Sequence, residues 1–220
     1  MRDSRLGGRR TARRRWVRWL AAVALAAAAG AGASASAEAT ASAFARVSAL
    51  NADLLRHDSA TETLQRWCAA RHLAEPAKIV AHRVLGQDKP ADPEVRRLLQ
   101  AAPGEAIRYR RVALACGEHV LSNADNWYRP GALTAQMNAE LEATDHPFGA
   151  VVRPLGFHRR TLSAVMLISA RDRRAPGALI RQKAVLETPD GRPFSLVVET
   201  YTKAVLDEGS AGQQVEPQAP

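Results

Sequence analysis

IRYRRVALACGEHVLSNADNWYRP, residues 107–130, is the stretch that decides the fold of this 220-residue chain. Ile107–Cys116 and His119–Tyr128 both alternate in the manner of strands. Gly117-Glu118 between them reads as a turn, and Pro130 ends the second run, so the segment predicts a β-hairpin. Alternation places Ile107, Tyr109, Arg111, Ala113 and Ala115 on one face of the first strand. Arg111 is the one charge in that row. An arginine facing a core needs an anion, because burying an unpaired guanidinium costs several kcal/mol. The anion is either a partner carboxylate or a ligand.

Working outward, strand signals recur at Lys78–Leu85, Thr161–Ser169, Leu179–Glu187 and Phe194–Leu206, each bounded by turn residues. Pro189-Asp190-Gly191-Arg192 is a strong hairpin turn before the last of these. Helical spacing of apolar residues predicts helices over Phe44–Arg56 and Thr61–His72, the second capped by Asp58-Ser59. Shorter helices are expected over Asp92–Gln100, with Pro93 in its first turn, and over Leu133–Ala143. Six strands joined mostly by hairpins, with the helices gathered at the start and middle, give an α+β domain built on a six-stranded antiparallel sheet with flanking helices. Polar residues on both faces of several strands suggest that one face lines a cavity.

Length allows one domain of ordinary size, placed at residues 44–206, with tails. The net charge of +9 and the pI near 10.5 suggest a nucleic-acid binder until position is considered. Residues 1–37 hold eight arginines and one aspartate, a net +7, so the rest of the chain carries only +2. Such a balanced domain has no basic footprint for a phosphate backbone, and nucleic acid is set aside as a partner. The Arg-rich start, the apolar run Trp19–Ala33 and the small-residue sites ending at Ala35 and Ala37 read as a secretory signal peptide over residues 1–37. An uncleaved anchor is the alternative. Arg13-Arg14-Arg15-Trp16-Val17-Arg18 also loosely fits a twin-arginine signal. The expected mature chain is periplasmic or secreted and free of the membrane, and is expected to be a monomer. Residues 38–43 read as a flexible lead-in and residues 207–220 as a disordered tail.

Cys68 and Cys116 can form one disulfide in an oxidising compartment or remain two buried thiols, and spacing does not choose between them. The histidines show no HxxxH or HExxH spacing, so no metal is expected. There is no GxSxG, no phosphate-cradling glycine loop and no acidic metal cluster, so any enzyme here would work by positioning and electrostatics, without a cofactor. Glu199, mid-strand in FSLVVETYT, is the second conspicuous charge. It either pairs structurally with Arg111 or is aimed into a pocket. Asp125, Asn126, Trp127 and Tyr128 form a polar-aromatic cluster of the kind found at pocket rims and at ordinary strand ends. Pro147-Phe148-Gly149 shapes a tight turn whose amides can hold an anion or simply connect two elements.

LLRHDSATETL, RYRRVALACGEHVL, TDHPFGAVV and FSLVVETYT, in this order between Leu54 and Leu206, together resemble the chorismate pyruvate-lyase family, whose chorismate lyase-like fold is shared with the ligand-sensing domains of some transcription regulators. The resemblance implies a small closed pocket for an aromatic carboxylate. It puts Arg111 on the substrate-carboxylate arginine, Glu199 on the ligand-facing glutamate, and the backbones of Ala60 and Phe148 beside the ligand. The implied activity is a carbon–oxygen lyase without cofactor, converting chorismate to 4-hydroxybenzoate and pyruvate, with Arg111 and Glu199 as catalytic groups. The family carries a second arginine on the return strand of the hairpin. Here ADNWYRP offers Asp125 or Asn126 instead, with Arg129 displaced next to Pro130, and Asn126 is taken as the binding residue. Export separates the protein from cytoplasmic chorismate, so the alternative is a non-catalytic periplasmic binding module for a small aromatic carboxylate. N-terminal sequencing of the exported protein should find a start near Ser36 or Glu38; an intact Met1 would overturn the signal-peptide reading.

Overall fold

The computed structural model describes residues 38–39, 41–172 and 174–209. The signal-peptide expectation and most of the expected tail therefore lie outside the described residues, as does part of the lead-in. Residues 38, 39 and 41–43 of that lead-in are already helical, and the helix there, α1, runs to residue 56. Then follow α2 (Ala60–Ala70), β1 (Ile79–Arg83), α3 (Pro93–Leu98), β2 (Arg108–Cys116) and β3 (His119–Tyr128). The second half holds α4 (Ala135–Ala143), α5 (Phe148–Val151), β4 (His158–Met166), β5 (Ala178–Glu187) and β6 (Pro193–Thr202), with short 3₁₀ turns between and after them.

The six strands form one sheet in the order β1-β2-β3-β6-β5-β4, antiparallel at every junction. The expected α+β architecture is therefore the observed one. Gly117 turns β2 into β3 with φ +54, and a Cβ there would come within 2.9 Å of the Ala74 Cβ, so glycine serves both the turn and the close approach. Two departures from the sequence reading that bear on the site fall after α4. The HPFG turn contains the start of a short helix, α5, and β4 begins three residues earlier than expected, at His158. The left-handed Gly156 (φ +62) ends the preceding 3₁₀ turn and starts the chain into β4.

Local signals account for the helix starts. Ser59 accepts a hydrogen bond from the Glu62 amide at 3.2 Å, Asp92 from Val95 at 2.7 Å and Thr134 from Met137 at 3.1 Å, each satisfying an orphan first-turn donor. Asp58 does not cap α2. Its Oδ1 accepts from the Arg159 amide at 2.7 Å, tying the entry of α2 to the start of β4.

Three apolar clusters hold the layers together. On the inner face, Leu50 and Leu54 of α1 and Leu64 of α2 pack on Leu114, Ile180 and Tyr201. Met137 and Leu141 of α4 and Phe148 of α5 pack on Tyr128, Leu186 and Phe194 beside them. On the outer face, Val95 and Leu99 of the α3 region cover Trp127, Val185 and Leu196. The inner face is thus covered by two separate helical groups, and a seam is left between them.

Cys68 of α2 and Cys116 at the end of β2 form a disulfide across 48 residues, which settles the alternative that spacing left open. Closing a loop of that length removes about 4 kcal/mol of unfolded-chain entropy in the chain-entropy account. The double variant Cys68→Ser/Cys116→Ser should unfold about 2–4 kcal/mol more easily in urea than the oxidised parent. An unchanged midpoint would show that the bridge does not constrain the unfolded chain.

Candidate functional site

A cavity occupies the seam. Its walls are apolar: Val112 and Leu114 of β2, Ala124 of β3, Phe148, Phe157 and Val197. Its polar groups come from Arg110, Asn126, Arg159 and Glu199, with Asp58 to Thr61 at the start of α2. The free space is about 50 Å³, which exceeds the ~10–15 Å³ that one water needs and restricts the occupant to a compact molecule. Gly149 lets α5 close on this end of α2, since a Cβ there would sit 3.1 Å from Thr61 Oγ1.

The residue expected to anchor the ligand is not in this cavity. Arg111 lies on the other face of β2, with its side chain 33% exposed and Nη1 3.6 Å from Asp125 Oδ1. Asp125 also accepts from Lys89 Nζ at 2.6 Å and from the Tyr109 hydroxyl at 2.5 Å. Burial and the adjacent carboxylate push the Tyr109 hydroxyl up to about 12, so it stays a donor at neutral pH. Arg111 therefore belongs to a half-exposed outer ion cluster. The alternative that paired Arg111 with Glu199 is excluded with it, because the two side chains lie on opposite faces of the sheet.

Arg110, one residue earlier, is the arginine that faces inward, and it is 6% exposed. The inner row of β2 is Arg110, Val112, Leu114 and Cys116, and the opposite row carries Ala113 and Ala115. The larger apolar side chains were the available signal for the buried face. Tyr109, in the other row, finds its cover in Trp127 and the α3 region instead.

Arg110 is held but not satisfied. Its Nη2 donates to the backbone carbonyls of His146 at 3.2 Å and Thr144 at 3.5 Å, while Nε and Nη1 are buried with no partner. Burial, and the nearby Arg83 cation, lower its proton affinity below the ordinary guanidinium range. Asn126, 4% exposed, is the neighbour of Arg110 across the β2–β3 ladder. Its Oδ1 accepts from Ser195 Oγ at 2.6 Å, and its Nδ2 is buried without a partner.

Glu199 does enter the cavity, but paired. Arg159, at the start of β4, donates from Nη2 to Glu199 Oε2 at 2.6 Å, the two side chains being 3% and 7% exposed. The buried Tyr201 hydroxyl donates to the same oxygen at 3.2 Å. Arg159 Nη2 also reaches Gln182 Oε1 at 3.2 Å, and Gln182 Nε2 donates to Asn51 of α1 at 2.9 Å. Burial opposes the charge on Arg159, yet Glu199, Tyr201 and Asp58 together hold its proton affinity above the ordinary value. For Tyr201, burial first and the Glu199 carboxylate second raise the phenol well above its usual range. Arg159 was missed in the sequence because β4 was started two residues after it. Gly156 followed by the alternating Phe157, Arg159 and Thr161 was the signal.

Of the expected site residues, Ala60, Asn126, Phe148 and Glu199 line one cavity, and Arg111 does not. Arg129 is also elsewhere, donating to Glu105 at 2.6 Å and to the Pro193 carbonyl at 3.0 Å. Within this cavity the buried polar side-chain atoms without partners are Arg110 Nε and Nη1, Asn126 Nδ2 and Arg159 Nε, and all four are donors. Buried donors without a protein partner are ordinarily satisfied by water or by an acceptor from outside the chain. Among the described residues, no group of three or more His, Cys, Asp or Glu side chains is placed to hold a metal. No helix among them is long and apolar enough to cross a membrane.

Fold and site together define an antiparallel α+β domain with a partly open, donor-lined cavity on the inner face of its sheet. The chain is 49% identical over 182 residues to Uncharacterized protein y4mC of Sinorhizobium fredii (strain NBRC 101917 / NGR234), a match covering 75% of this chain and 77% of that protein, and it belongs to the same family. No protein-family model matches the chain. Among solved structures, it is similar to the ligand-binding domain of a putative GntR-family transcriptional regulator from Bordetella bronchiseptica, with TM-score 0.41, 18% identity, and coverage of 57% of this chain and 83% of that one. It is also similar to the effector domain of PhnF from Mycobacterium smegmatis, with TM-score 0.40, 15% identity, and coverage of 61% and 88%.

Breaking the buried pair should be costly. Arg159→Met leaves Glu199 unpaired and should lower stability by about 3–5 kcal/mol, whereas Arg159→Met/Glu199→Met should recover most of that loss. Urea unfolding of the two variants checks this.

Proposed function

We propose that this domain binds a small aromatic carboxylate in the seam cavity, with Arg110 as its anchor. The observation that carries the reading is the buried guanidinium of Arg110, whose Nε and Nη1 lack partners beside the equally unpartnered Asn126 Nδ2. A carboxylate oxygen accepts a charge-assisted hydrogen bond from such a guanidinium N–H, and its second oxygen is free for a further donor. It also supplies the negative charge that burial of Arg110 otherwise lacks. The apolar walls between this end and Glu199 suit a flat hydrocarbon ring. First-turn amides of α2, at Ala60 and Thr61, border the same space and add donors that their helix does not use.

The disulfide favours an oxidising compartment, in line with an exported protein that acts as a binding module. A second reading is the cofactor-independent lyase reaction on chorismate. It is favoured by Glu199 and Arg110 lining one cavity, in the places that the resemblance to the lyase family gives to its glutamate and, one residue displaced, to its carboxylate arginine. In that reading the protein mainly holds a reactive conformer and stabilises developing charge.

The test is a thermal-shift titration with benzoate and 4-hydroxybenzoate, alongside incubation with chorismate scored for pyruvate. Binding should raise the midpoint by mass action. Arg110→Met should abolish the shift while Arg111→Ala leaves it within error. A shift that survives Arg110→Met would remove the anchor. Pyruvate release under excess enzyme would replace the binding reading with the lyase one.

A further inference from the structure

The seam cavity is built from charges that do not cancel evenly. At one end, Arg110 has no carboxylate within salt-bridge distance among the described residues, and two of its nitrogens lack partners. At the other end, Arg159 and Glu199 are paired at 2.6 Å and almost fully buried. Asp58 adds a carboxylate at the mouth, where it accepts from the Arg159 amide and lies 3.5 Å from His158. The interior therefore holds one guanidinium without a salt-bridge partner, at the Arg110 end, where Asp145 acts only from further away, and a neutral ion pair at the other.

Strand order keeps these ends apart. Arg110 is on β2 and Arg159 on β4, with β3, β6 and β5 between them, a span of roughly 19 Å along the sheet at ~4.8 Å per strand. Arg159 reaches back over β5 to Glu199 on β6. A ligand lying over β3 and β6 then meets Arg110 at one end and the Arg159–Glu199 pair at the other.

We propose that Arg159, by neutralising Glu199 and being neutralised by it, sets the charge specificity of the cavity: monoanions are accepted and dianions of the same length are rejected. This rests on the carboxylate reading above and sharpens it. The first carboxylate of a ligand supplies the charge that Arg110 lacks. A second carboxylate at the far end meets Glu199 at close range in a low-dielectric site, and Arg159 is already committed. A neutral hydroxyl at that end is accommodated, since it can donate to Glu199 and accept from the unpartnered Arg159 Nε. Arg159 is thus a specificity-determining residue that acts partly through Glu199. Chorismate carries two carboxylates, so the same charge count weighs against the lyase reading.

The experiment compares 4-hydroxybenzoate, benzoate and terephthalate by calorimetric titration of the oxidised protein. Wild type should bind 4-hydroxybenzoate at least about tenfold tighter than terephthalate, the size expected for one charged hydrogen bond gained or lost. Glu199→Gln frees Arg159 as a second cation and should raise terephthalate affinity by about tenfold or more. Glu199→Gln/Arg159→Met should lose that gain. A merely structural role for Arg159 would not invert the ligand order. Equal binding of the monoanion and dianion by wild type, or no gain in Glu199→Gln, overturns the proposal. The wild-type comparison decides alone if the variants do not fold. Absence of binding for all three acids, benzoate included, would overturn the carboxylate reading itself and this proposal with it.

Discussion

Charge burial on the inner face of the sheet is the constraint around which the middle of this protein is arranged. The Arg159–Glu199 contact at 2.6 Å joins edge strand β4 to β6 across β5, and Gln182 extends the network to Asn51 on α1. Two buried ions are tolerable there because each offsets the desolvation of the other. Arg110 is the exception. Two backbone carbonyls hold its Nη2, but among the described residues no carboxylate is paired with it. The interior pairs one arginine and leaves the other open at the place where the cavity lies.

The position of that place follows from how the helices divide the sheet. α1 and α2 cover one part of the inner face, and α4 and α5 cover the other, each with its own apolar cluster. The cavity draws walls from both clusters: Leu114 and Ala124 from one, Phe148 and Phe157 from the other. The Cys68–Cys116 bridge fixes α2 to β2, and the Asp58–Arg159 contact fixes the start of α2 to β4. Two of the inner walls are thereby tied to the same helix. A site made this way is positioned by rigid elements, which suits recognition by geometry.

The adjacent residues Arg110 and Arg111 show where sequence reading stops. Alternation in RYRRVALAC divides the strand into two rows but does not say which row faces the helices. Both rows contain arginine and both are otherwise apolar. The structure buries the row with Val112, Leu114 and Cys116 against α1 and α2, and covers Tyr109 of the other row from outside with the α3 region. A one-residue change of face moves every side chain of the strand to the opposite surface, so the inward-facing arginine is Arg110 and not Arg111. Arg159 was lost for a related reason: the start of β4 depends on Gly156 ending a 3₁₀ turn, a feature of the loop and not of strand periodicity.

By itself, the sequence determined six strands, the hairpin at Gly117 and the helix start at Ser59, and it singled out Asn126, Phe148 and Glu199 as candidates for a site. These are written in local terms: a period of two, a turn glycine, a side-chain oxygen placed to cap an amide. Which of two adjacent arginines faces the core, which cation neutralises Glu199, and whether Cys68 meets Cys116 were decided only in the tertiary structure. Each depends on groups far apart in the chain meeting across strands β2, β6, β5 and β4 or between α2 and the sheet, and burial energy acts on that meeting rather than on the order of residues.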